Sequence, residues 1–456
     1  MNTHWQSRNI PALRHEAAYG DRIVRCFAER PGSMHALLEQ AVAVHGDSDA
    51  VVCGETRWNY RRLDAEAARI AAGLAAHGVT AGERVVLFMG NRPEFIAVLF
   101  AVQRLGAIAV PIGEREQKPG LAYMLQQCGA CTIVFDAALA DRVPDTTAEV
   151  LALRLRIVAA GTAEGALSLD ALGHDDAPVA TVAVKEQDTA LILYTSGTTG
   201  RPKGAMLTHL NVAHSVRHYA VCMGVRTGDR SALAVPASHV TGLIAVIAAM
   251  VHVGGAIVMI PAFKAASFLQ TMAAERVTHT LMVPAMYTLC LMDSAFDGAK
   301  LAAWRIGGYG GAPMPVSAID ALADRLPGLT LVNAYGATET TSPTTMMPPG
   351  LTRDHADTVG VPLPCADVRV MDDDGRELPA GETGELWIAG PMVVPGYWDN
   401  PEATAAAFTG GYWHSGDLGS VDADGFVRLF DRKKDMLNRG GFKIYSVEVE
   451  NTLMAL

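Results

Sequence analysis

A run rich in glycine and hydroxyl side chains, at 194–204, constrains this chain more than any other feature. It reads Tyr-Thr-Ser-Gly-Thr-Thr-Gly-Arg-Pro-Lys-Gly and follows an apolar stretch at 190–193 that is typical of the end of a buried strand. We expect residues 205–211 to start a helix. A strand, a flexible loop and a helix together present backbone N–H groups to an anion, and glycine lets phosphate oxygens approach closely. The run therefore predicts a phosphate-binding loop in which Lys203 adds a positive charge.

The run departs from the Walker A pattern, in which four residues separate the first glycine from Gly-Lys-Ser/Thr. Here Gly197 and Gly200 are too close together, Pro202 precedes the lysine, and Gly204 follows it. We therefore expect phosphate binding by a chain that is not a P-loop NTPase.

Length, charge and cysteine usage limit the class of protein. A chain of 456 residues is expected to form two or more cores. The formal net charge of −11 makes nucleic acid an unfavourable partner. Seven scattered cysteines and an N-terminus without an apolar core segment predict a cytoplasmic protein in a reducing compartment. The Cys128-x-x-Cys131 pair lacks neighbouring ligands, so we interpret both as core residues rather than a metal or redox site.

The most apolar stretch, at 243–260, has the length of a membrane-spanning helix. It contains His252 and a Gly254-Gly255 break. We therefore predict a buried helix to about residue 252, a glycine turn and a buried strand at 256–260, without a transmembrane segment.

Helix-like and strand-like segments alternate through most of the chain. A helix is predicted at 61–77, and Asn91 and Pro93 are a favourable cap and first turn for another. Strands are predicted at 85–89, 108–112, 131–135, 231–235, 256–260, 280–283 and 329–332. Apolar strands that alternate with helices predict an α/β fold with two mostly parallel sheets covered by helices.

The pattern changes after about residue 355. Short strands at 368–371, 384–389 and 426–430 are separated by Gly/Asp turns. We expect a smaller β-rich subdomain at about 355–431, within a large N-terminal domain at 1–431.

Four further runs contain residue types suited to a nucleotide site. A carboxylate beside a phosphate loop is what a Mg²⁺–nucleotide complex requires, which makes the acid in the second of these runs a candidate ligand. The four runs are Gly-Gly-Tyr-Gly-Gly-Ala-Pro-Met-Pro at 307–315, Asn-Ala-Tyr-Gly-Ala-Thr-Glu-Thr at 333–340, Tyr-Trp-His-Ser-Gly-Asp-Leu-Gly at 412–419, and Asp-Arg-Lys-Lys-Asp-Met-Leu-Asn-Arg-Gly-Gly-Phe-Lys-Ile at 431–444.

In order and spacing, these runs and the loop resemble the core motifs of the adenylate-forming superfamily, and in particular those of its acyl-CoA and aryl-CoA synthetases. The resemblance covers the chain from about residue 58 to its end. It implies an ATP or AMP site at Thr195, Ser196, Gly197, Thr198, Thr199, Gly200, Gly310, Gly311, Ala312, Pro313, Tyr335, Gly336, Asp417 and Arg432. It implies catalytic roles for Lys203, His239, Thr338 and Glu339.

The resemblance also assigns individual roles. The loop would close on the β- and γ-phosphates, and residues 310–313 would form the wall beside adenine, on which Tyr335 stacks. Thr338 and Glu339 would contact phosphate and Mg²⁺, with Glu339 as the metal ligand. Asp417 would accept both ribose hydroxyls, which suits a carboxylate with two oxygens. Arg432 would contact ribose or phosphate.

The last part of the chain resembles the start of the small C-terminal domain, so we place a hinge and the beginning of that domain at 432–456. Lys434 matches the hinge position, and Gly441 lies on the CoA side. The family normally continues into a domain that carries a lysine used for adenylation, and no residue here matches it. We therefore expect a truncated or incomplete chain that binds ATP and the acid but adenylates weakly.

The segment 235–243 bears on the substrate. Amino-acid-activating relatives carry an aspartate here, whereas this segment resembles the Pro-x-x-His-x-x-Gly pattern of acyl- and aryl-CoA synthetases. The resemblance implies that His239 lies near the reacting carboxylate. The mainly apolar acyl pocket is expected at His239, Val240, Met282, Val283, Pro284, Tyr287 and Thr341. A fatty or aromatic monocarboxylic acid is therefore predicted.

The resemblance implies two half-reactions. The acid and ATP give an acyl-adenylate and pyrophosphate, and the acyl group then passes to CoA with release of AMP. ATP and CoA are the expected co-substrates and Mg²⁺ the expected cofactor. Loading of a carrier protein and a non-catalytic nucleotide-binding role remain as alternatives. The sequence is compatible with a homodimer but does not fix the oligomeric state.

Overall fold

The structure is a computed structural model that describes residues 3–6, 8–145, 150–174, 177–195, 201–433, 437–439 and 442–444. The strands are β1 Leu13–Ala18, β2 Arg22–Phe27, β3 Asp49–Cys53, β4 Thr56–Asn59, β5 Arg84–Phe88, β6 Ile108–Pro111, β7 Thr132–Phe135, β8 Leu155–Val158, β9 Leu167–Ser168, β10 Thr189–Thr195, β11 Lys203–Thr208, β12 Arg230–Leu233, β13 Ala256–Met259, β14 His279–Met282, β15 Ile306–Tyr309, β16 Thr330–Tyr335, β17 Thr345–Met346, β18 Val361–Pro362, β19 Asp367–Met371, β20 Gly384–Ala389, β21 Phe408–Thr409, β22 Tyr412–Val421, β23 Val427–Arg432, β24 Leu437–Arg439 and β25 Phe442–Ile444.

The α-helices are α1 Met34–His45, α2 Tyr60–Ala76, α3 Pro93–Arg104, α4 Lys118–Cys128, α5 His209–His218, α6 Ala249–Val253, α7 Ala265–Ala274, α8 Pro284–Met292, α9 Val316–Arg325 and α10 Pro401–Ala407. Short 3₁₀-helices lie at Thr3–Trp5, Ala137–Arg142 and Thr338–Thr340, and π-helical turns lie at Tyr219–Met223 and Thr241–Ala248.

Two large sheets form the body of the protein. The first has the strand order β11-β10-β6-β5-β7-β8-β9, and the second has the order β18-β17-β16-β15-β14-β12-β13-β3-β4. The central pairs of both sheets are parallel, and antiparallel pairs occur only toward their edges. This arrangement confirms the predicted α/β class with two mostly parallel sheets.

Both faces of the sheets are buried, which explains why the strands read as continuous apolar runs. In β5, Val85 and Leu87 belong to the core between the two sheets, whereas Val86 belongs to the core under α4. In β13, Ile257 faces the same central core and Val258 the core under α7, α8 and α9. Strands with two buried faces need helices on each side, because their side chains alternate between the faces.

The segment after the glycine-rich run differs from the prediction. Residues 203–208 form β11, an antiparallel partner of β10, and the helix α5 begins only at His209, with Thr208 as its cap. The expectation that residues 205–211 start a helix was therefore wrong up to residue 208. The physical reason is tertiary, because pairing between Leu193 and Ala205 and between Leu191 and Leu207 satisfies the backbone of both strands.

The predicted cap of α3 is also corrected. Arg92, not Asn91, occupies the cap position, and its side chain makes no capping bond. The Asn91 amide instead donates to the carbonyl oxygens of Leu233, Val235 and Ile260 at 3.0–3.2 Å. Asn91 therefore joins the start of α3 to the ends of two strands in the other sheet.

A third sheet, with five antiparallel strands, contains β19 to β23 and so lies at 367–432. All five strands come from the part of the chain after residue 355, where turns separate short strands. The domain boundary at residues 431 and 432 remains a prediction.

The long apolar stretch at 243–260 folds as expected into a buried helical segment, a turn at Gly254 and the strand β13. No helix among the described residues combines the length and the apolar character needed to cross a membrane. Cys128 and Cys131 are buried and unpaired, as expected for core residues.

Candidate active site

The carboxyl ends of four neighbouring parallel strands, β12, β14, β15 and β16, bring most of the predicted site residues to one edge of the nine-stranded sheet. Met282, Tyr309 and Asn333 are aligned across β14, β15 and β16. The segments that follow these strands, 283–284, 310–313 and 336–339, are therefore neighbours. Ligands of open α/β sheets commonly bind at such an edge.

The glycine-rich turn after β15 depends on the absence of side chains. A Cβ atom at Gly310 would lie 2.4 Å from the carbonyl oxygen of Ala334 in the next strand. Gly311 has a φ angle of +79°, which residues with a side chain rarely adopt. The two glycines let residues 310–313 turn tightly beside β16, where Ala312 and Pro313 are exposed.

Tyr335, at the end of β16, connects this edge to the β-rich sheet. Its hydroxyl donates a hydrogen bond of 2.6 Å to Oδ2 of Asp417 in β22. Arg432 is the cross-strand partner of Asp417, and its Nε lies 3.4 Å from Oδ1. Burial raises the pKa of Asp417, while Tyr335 and Arg432 act in the opposite direction. Burial, together with the adjacent Asp417, holds the pKa of Tyr335 well above its usual range.

Glu339 lies in the 3₁₀-helix that follows β16 and is 8% exposed. Its Oε1 accepts a hydrogen bond of 2.9 Å from the Tyr397 hydroxyl and one of 3.3 Å from the Thr195 hydroxyl. Burial raises the pKa of the Glu339 carboxyl, and these hydrogen bonds oppose the rise. A buried carboxylate bonded by neutral hydroxyls is a favourable position for a cation.

Lys203 and Thr195 stand opposite each other as the last cross-strand pair of β10 and β11. The bond from Thr195 to Glu339 places this end of the hairpin beside the acid. The Lys203 ammonium lies 5.2 Å from the centroid of the Tyr397 ring. The basic and acidic side chains predicted for phosphate and metal contacts are thus brought together.

The donor set is compatible with Mg²⁺ bound mainly by nucleotide phosphates. Within the described part of the chain, no group of three or more His, Cys, Asp or Glu side chains could hold a metal. An all-protein metal cage is therefore not built from these residues. Mg²⁺ needs only one or two carboxylates when substrate phosphates supply other oxygens, and Glu339 meets that requirement.

His239 lies in the turn after β12, at the same sheet edge, and immediately precedes the π-helical segment. Its Nδ1 is 3.3 Å from the Thr241 hydroxyl. Part of the ring is accessible, but surrounding protein atoms exclude enough water to lower its pKa. A neutral imidazole at this position can accept or donate a hydrogen bond.

The other residues predicted for the acyl pocket differ in exposure. Val283 is 42% exposed, whereas Val240 and Met282 are buried. Tyr287 is fully buried, and its hydroxyl donates to the carbonyl oxygen of Gly308 at 2.6 Å. The structure therefore places Tyr287 in the core between α8 and β15, away from any accessible surface.

Pro284 is buried at the start of α8, and Thr341 is buried with a φ angle of +52°. The Thr341 hydroxyl makes no hydrogen bond with the part of the chain that the structure describes. Thr341 follows the 3₁₀-helix that contains Glu339. Its contact with an acyl group remains a prediction.

Several predicted positions lie outside the described residues. They are Ser196, Gly197, Thr198, Thr199, Gly200, Lys434 and Gly441. The roles assigned to the tip of the phosphate loop, to the hinge and to the CoA side remain predictions.

Sequence reasoning missed Tyr397. It lies in a Pro-Gly-Tyr-Trp segment, between two predicted strands, that carries no charged residue. The only signal was a pair of aromatic residues after a Pro-Gly turn, which is also typical of a surface loop. Its contacts with Lys203 and Glu339 depend on chain segments about 60 to 190 residues away.

Comparison with known proteins identifies the family of this chain. The sequence pattern of the family described as AMP-binding enzyme matches residues 38–398. A feruloyl-CoA synthase from Amycolatopsis sp is 36% identical over 404 residues, which cover 89% of this chain and 79% of that protein. A long-chain-fatty-acid–CoA ligase from Mycobacterium tuberculosis is 31% identical over 408 residues, which cover 88% of this chain and 78% of the relative.

A solved structure is similar over almost the same extent. The anthranilate CoA ligase AuaEII in complex with anthranoyl-AMP superposes with a TM-score of 0.87 at 26% identity, covering 92% of this chain and 82% of that one. The fold is thus that of an adenylate-forming enzyme.

This chain belongs to the AMP-binding enzyme family. The family predicted from the five runs is therefore confirmed. The names of the relatives, which are acyl-CoA synthetases and ligases, agree with the predicted enzyme class, an AMP-forming acid–thiol ligase.

Proposed function

We propose that this protein is a carboxylate–CoA ligase for a fatty or aromatic monocarboxylic acid. The observation that carries the proposal is the convergence of three parts at one sheet edge. These parts are the glycine turn after β15, the Tyr335–Asp417 pair, and the Glu339–Lys203 group. We assign these three parts to the adenine, ribose and phosphate portions of ATP.

In the first half-reaction, a carboxylate oxygen of the acid attacks the α-phosphorus of ATP. The new O–P bond gives the acyl-adenylate, and the bond to pyrophosphate breaks with its electron pair on the leaving group. Asp417 holds the ribose hydroxyls, and Lys203 reduces the repulsion between the acid and the phosphates. Mg²⁺, when bound at Glu339, would neutralise phosphate charge.

In the second half-reaction, the sulfur of CoA attacks the carbonyl carbon of the acyl-adenylate. A thioester bond forms, the C–O bond to AMP breaks, and the thiol proton passes to solvent. AMP is a good leaving group, so this step needs no protein nucleophile. We assign to His239 a hydrogen bond with the carboxylate of the acid.

Two observations support a proposal that includes both fatty and aromatic acids. The relatives include a feruloyl-CoA synthase and a long-chain-fatty-acid–CoA ligase, which act on an aromatic and an aliphatic acid by name. Val283 adds an exposed apolar side chain beside the glycine turn. Both kinds of acid are therefore included in the proposal.

The proposal is tested by acid-dependent exchange of pyrophosphate into ATP, with a panel of straight-chain fatty acids and aromatic acids. We expect exchange with at least one acid and no exchange without acid or with His239→Ala at the same acid concentration. Absence of exchange with every acid, by a folded protein that still binds ATP, would refute the activation step.

The acceptor is tested separately. The acid that supports exchange is supplied with CoA or with a phosphopantetheinyl carrier protein, and the thioester is followed by mass spectrometry. We expect acyl-CoA. Acylation of the carrier protein alone would establish the alternative acceptor, and release of free acyl-adenylate would exclude both.

A further inference from the structure

The segment 391–398 crosses from the β-rich sheet to the phosphate-loop hairpin and is held along its length. The buried guanidinium of Arg22 donates to the carbonyl oxygens of Val394 and Pro395, both at 3.0 Å. The backbone N–H of Val394 also donates to the carbonyl oxygen of Glu339 at 2.9 Å. The segment is therefore fixed to the same short helix that carries the acid.

The end of this segment pairs with β11. Trp398 donates its N–H to the carbonyl oxygen of Gly204 at 2.7 Å, and Met206 donates to that of Gly396 at 3.1 Å. These two bonds flank Tyr397, which lies opposite the strand as an antiparallel bridge. The backbone thus sets the position of the Tyr397 side chain relative to the first residue of β11.

The Tyr397 side chain contacts both opposite charges of the phosphate end. Its hydroxyl donates to Oε1 of Glu339 at 2.9 Å, and its ring centroid lies 5.2 Å from the Lys203 ammonium. Tyr397 is 6% exposed, so water competes weakly for either contact. A ring attracts a cation through its quadrupole, and a hydroxyl bonded to a buried carboxylate restricts how that carboxylate turns.

We propose that Tyr397 is a positioning residue for the ligase reaction, with one function for each part of its side chain. The hydroxyl orients the Glu339 carboxylate toward the cation that accompanies ATP, and the ring holds Lys203 in position for the phosphates. This inference rests on the proposed function, because it assigns Mg²⁺ and the phosphates to that end of the site.

The two functions are separated by two substitutions and by the presence of Mg²⁺. Tyr397→Phe removes the hydroxyl and keeps the ring, whereas Tyr397→Leu removes both. Dissociation constants for ATP are measured by titration calorimetry with Mg²⁺ and with EDTA. We expect Tyr397→Phe to weaken binding about 10-fold with Mg²⁺ and to leave binding in EDTA unchanged. Tyr397→Leu is expected to weaken binding in EDTA as well, by about 3-fold to 10-fold.

A matched control is Tyr60→Phe. The Tyr60 hydroxyl is also buried and donates to the carbonyl oxygen of Gly255 at 2.6 Å, in a different part of the core. We expect this variant to bind ATP like the parent protein in both buffers. Thermal unfolding of each variant shows whether any loss of binding follows a loss of stability.

A combined variant tests whether Tyr397 acts through Glu339. In a Glu339→Gln background, Tyr397→Phe should cause no further loss of Mg²⁺-dependent binding. An additional 10-fold loss would overturn the link between the two residues. Equal losses with Mg²⁺ and with EDTA for Tyr397→Phe would also overturn it, because a purely structural effect does not depend on the metal.

The outcomes distinguish this inference from the proposed function. Parent protein that binds no ATP would overturn both. Parent protein that binds ATP in a Mg²⁺-dependent manner, with Tyr397→Phe unchanged, would overturn only the role of Tyr397. If the variants show the expected Mg²⁺-dependent losses of ATP binding but the parent activates no acid, the ligase reaction would be overturned and the positioning role of Tyr397 supported.

Discussion

Asp417 and Glu339 are the two carboxylates of the candidate site, and each accepts a hydrogen bond from a tyrosine hydroxyl. Their surroundings otherwise differ. Asp417 lies in β22 opposite Arg432, whose Nε is 3.4 Å from the carboxylate, beside an irregularity in the strand pairing at Leu418 and Gly419. Glu339 lies in a short 3₁₀-helix, and its side chain is bonded by the neutral hydroxyls of Thr195 and Tyr397.

This difference indicates different ligands. A carboxylate that already has a cationic partner is suited to accept hydrogen bonds from neutral groups, such as ribose hydroxyls. A buried carboxylate without a charged hydrogen-bond partner gains most from a cation. We therefore propose that a carboxylate serves the ribose at Asp417 and the metal and phosphates at Glu339.

The largest effect is expected for Glu339→Gln. The substitution keeps the shape of the side chain and the acceptor for Tyr397 but removes the charge. We expect the rate of acyl-adenylate formation to fall about 10²-fold to 10³-fold relative to the parent chain, with ATP affinity in EDTA nearly unchanged. Single-turnover quench experiments measure the rate.

The control for that experiment is Glu377→Gln, which neutralises an exposed carboxylate paired with Arg369. It should form acyl-adenylate at the parental rate. A rate for Glu339→Gln within 3-fold of the parent would show that Glu339 does not differ from Asp417 in the way proposed.

A smaller effect is expected for Asp417→Asn. This substitution should change the affinity for ATP but not the dependence of that affinity on Mg²⁺. Loss of charge-assisted hydrogen bonds to the ribose should weaken ATP binding about 10-fold to 100-fold, equally with Mg²⁺ and with EDTA. The variant should also lose the ability of the parent to distinguish ATP from 2′-deoxy-ATP. Competition with a fluorescent nucleotide measures both affinities.

Asp367→Asn is the matched control, because Asp367 also accepts from a tyrosine hydroxyl, that of Tyr412, in the same sheet. Parental affinity is expected for this variant. If Asp417→Asn still discriminates against the 2′-deoxy nucleotide as strongly as the parent, Asp417 does not contact the ribose.

The smallest effect is expected for Arg432→Gln. The Arg432 side chain is 60% exposed, and exposed ion pairs contribute little in water. We expect ATP binding to weaken about 2-fold to 5-fold at low ionic strength and to approach the parental value at about 0.5 M salt. Arg428→Gln, on the same strand and paired with Asp357 and Asp422, is the control. A loss above 50-fold would mean that Arg432 contacts phosphate directly.

The fold class was readable from the sequence because its signal is local. Strands with both faces buried are continuous apolar runs, so β5, β6, β13 and β14 were placed within about two residues of their observed positions. Strand β15 was not predicted, because its Ile-Gly-Gly-Tyr sequence is typical of a turn. The close packing of β14 and β16 against it then explains why glycine is needed there.

Tertiary pairing also changed the interpretation of two local signals. Residues 203–208 have side chains that a helix accepts, but their backbone pairs with β10. Asn91 has the chemistry of a helix cap, but its amide bonds to three carbonyl oxygens from the other sheet. In the first case the partner is the preceding strand of a hairpin and in the second it is a distant sheet, and in both the hydrogen-bond partners are not revealed by the local pattern.

The amino-acid order of five short runs was sufficient to identify the family and to name Lys203, Tyr335, Glu339, Asp417 and Arg432 as candidate ligands of a nucleotide. Residue type and order within a run carry that information because they are local properties of the chain. The side-chain contacts between these residues could not be predicted from the sequence. Tyr335 meets Asp417, and Tyr397 meets both Lys203 and Glu339, because separate sheets pack together and water is excluded between them.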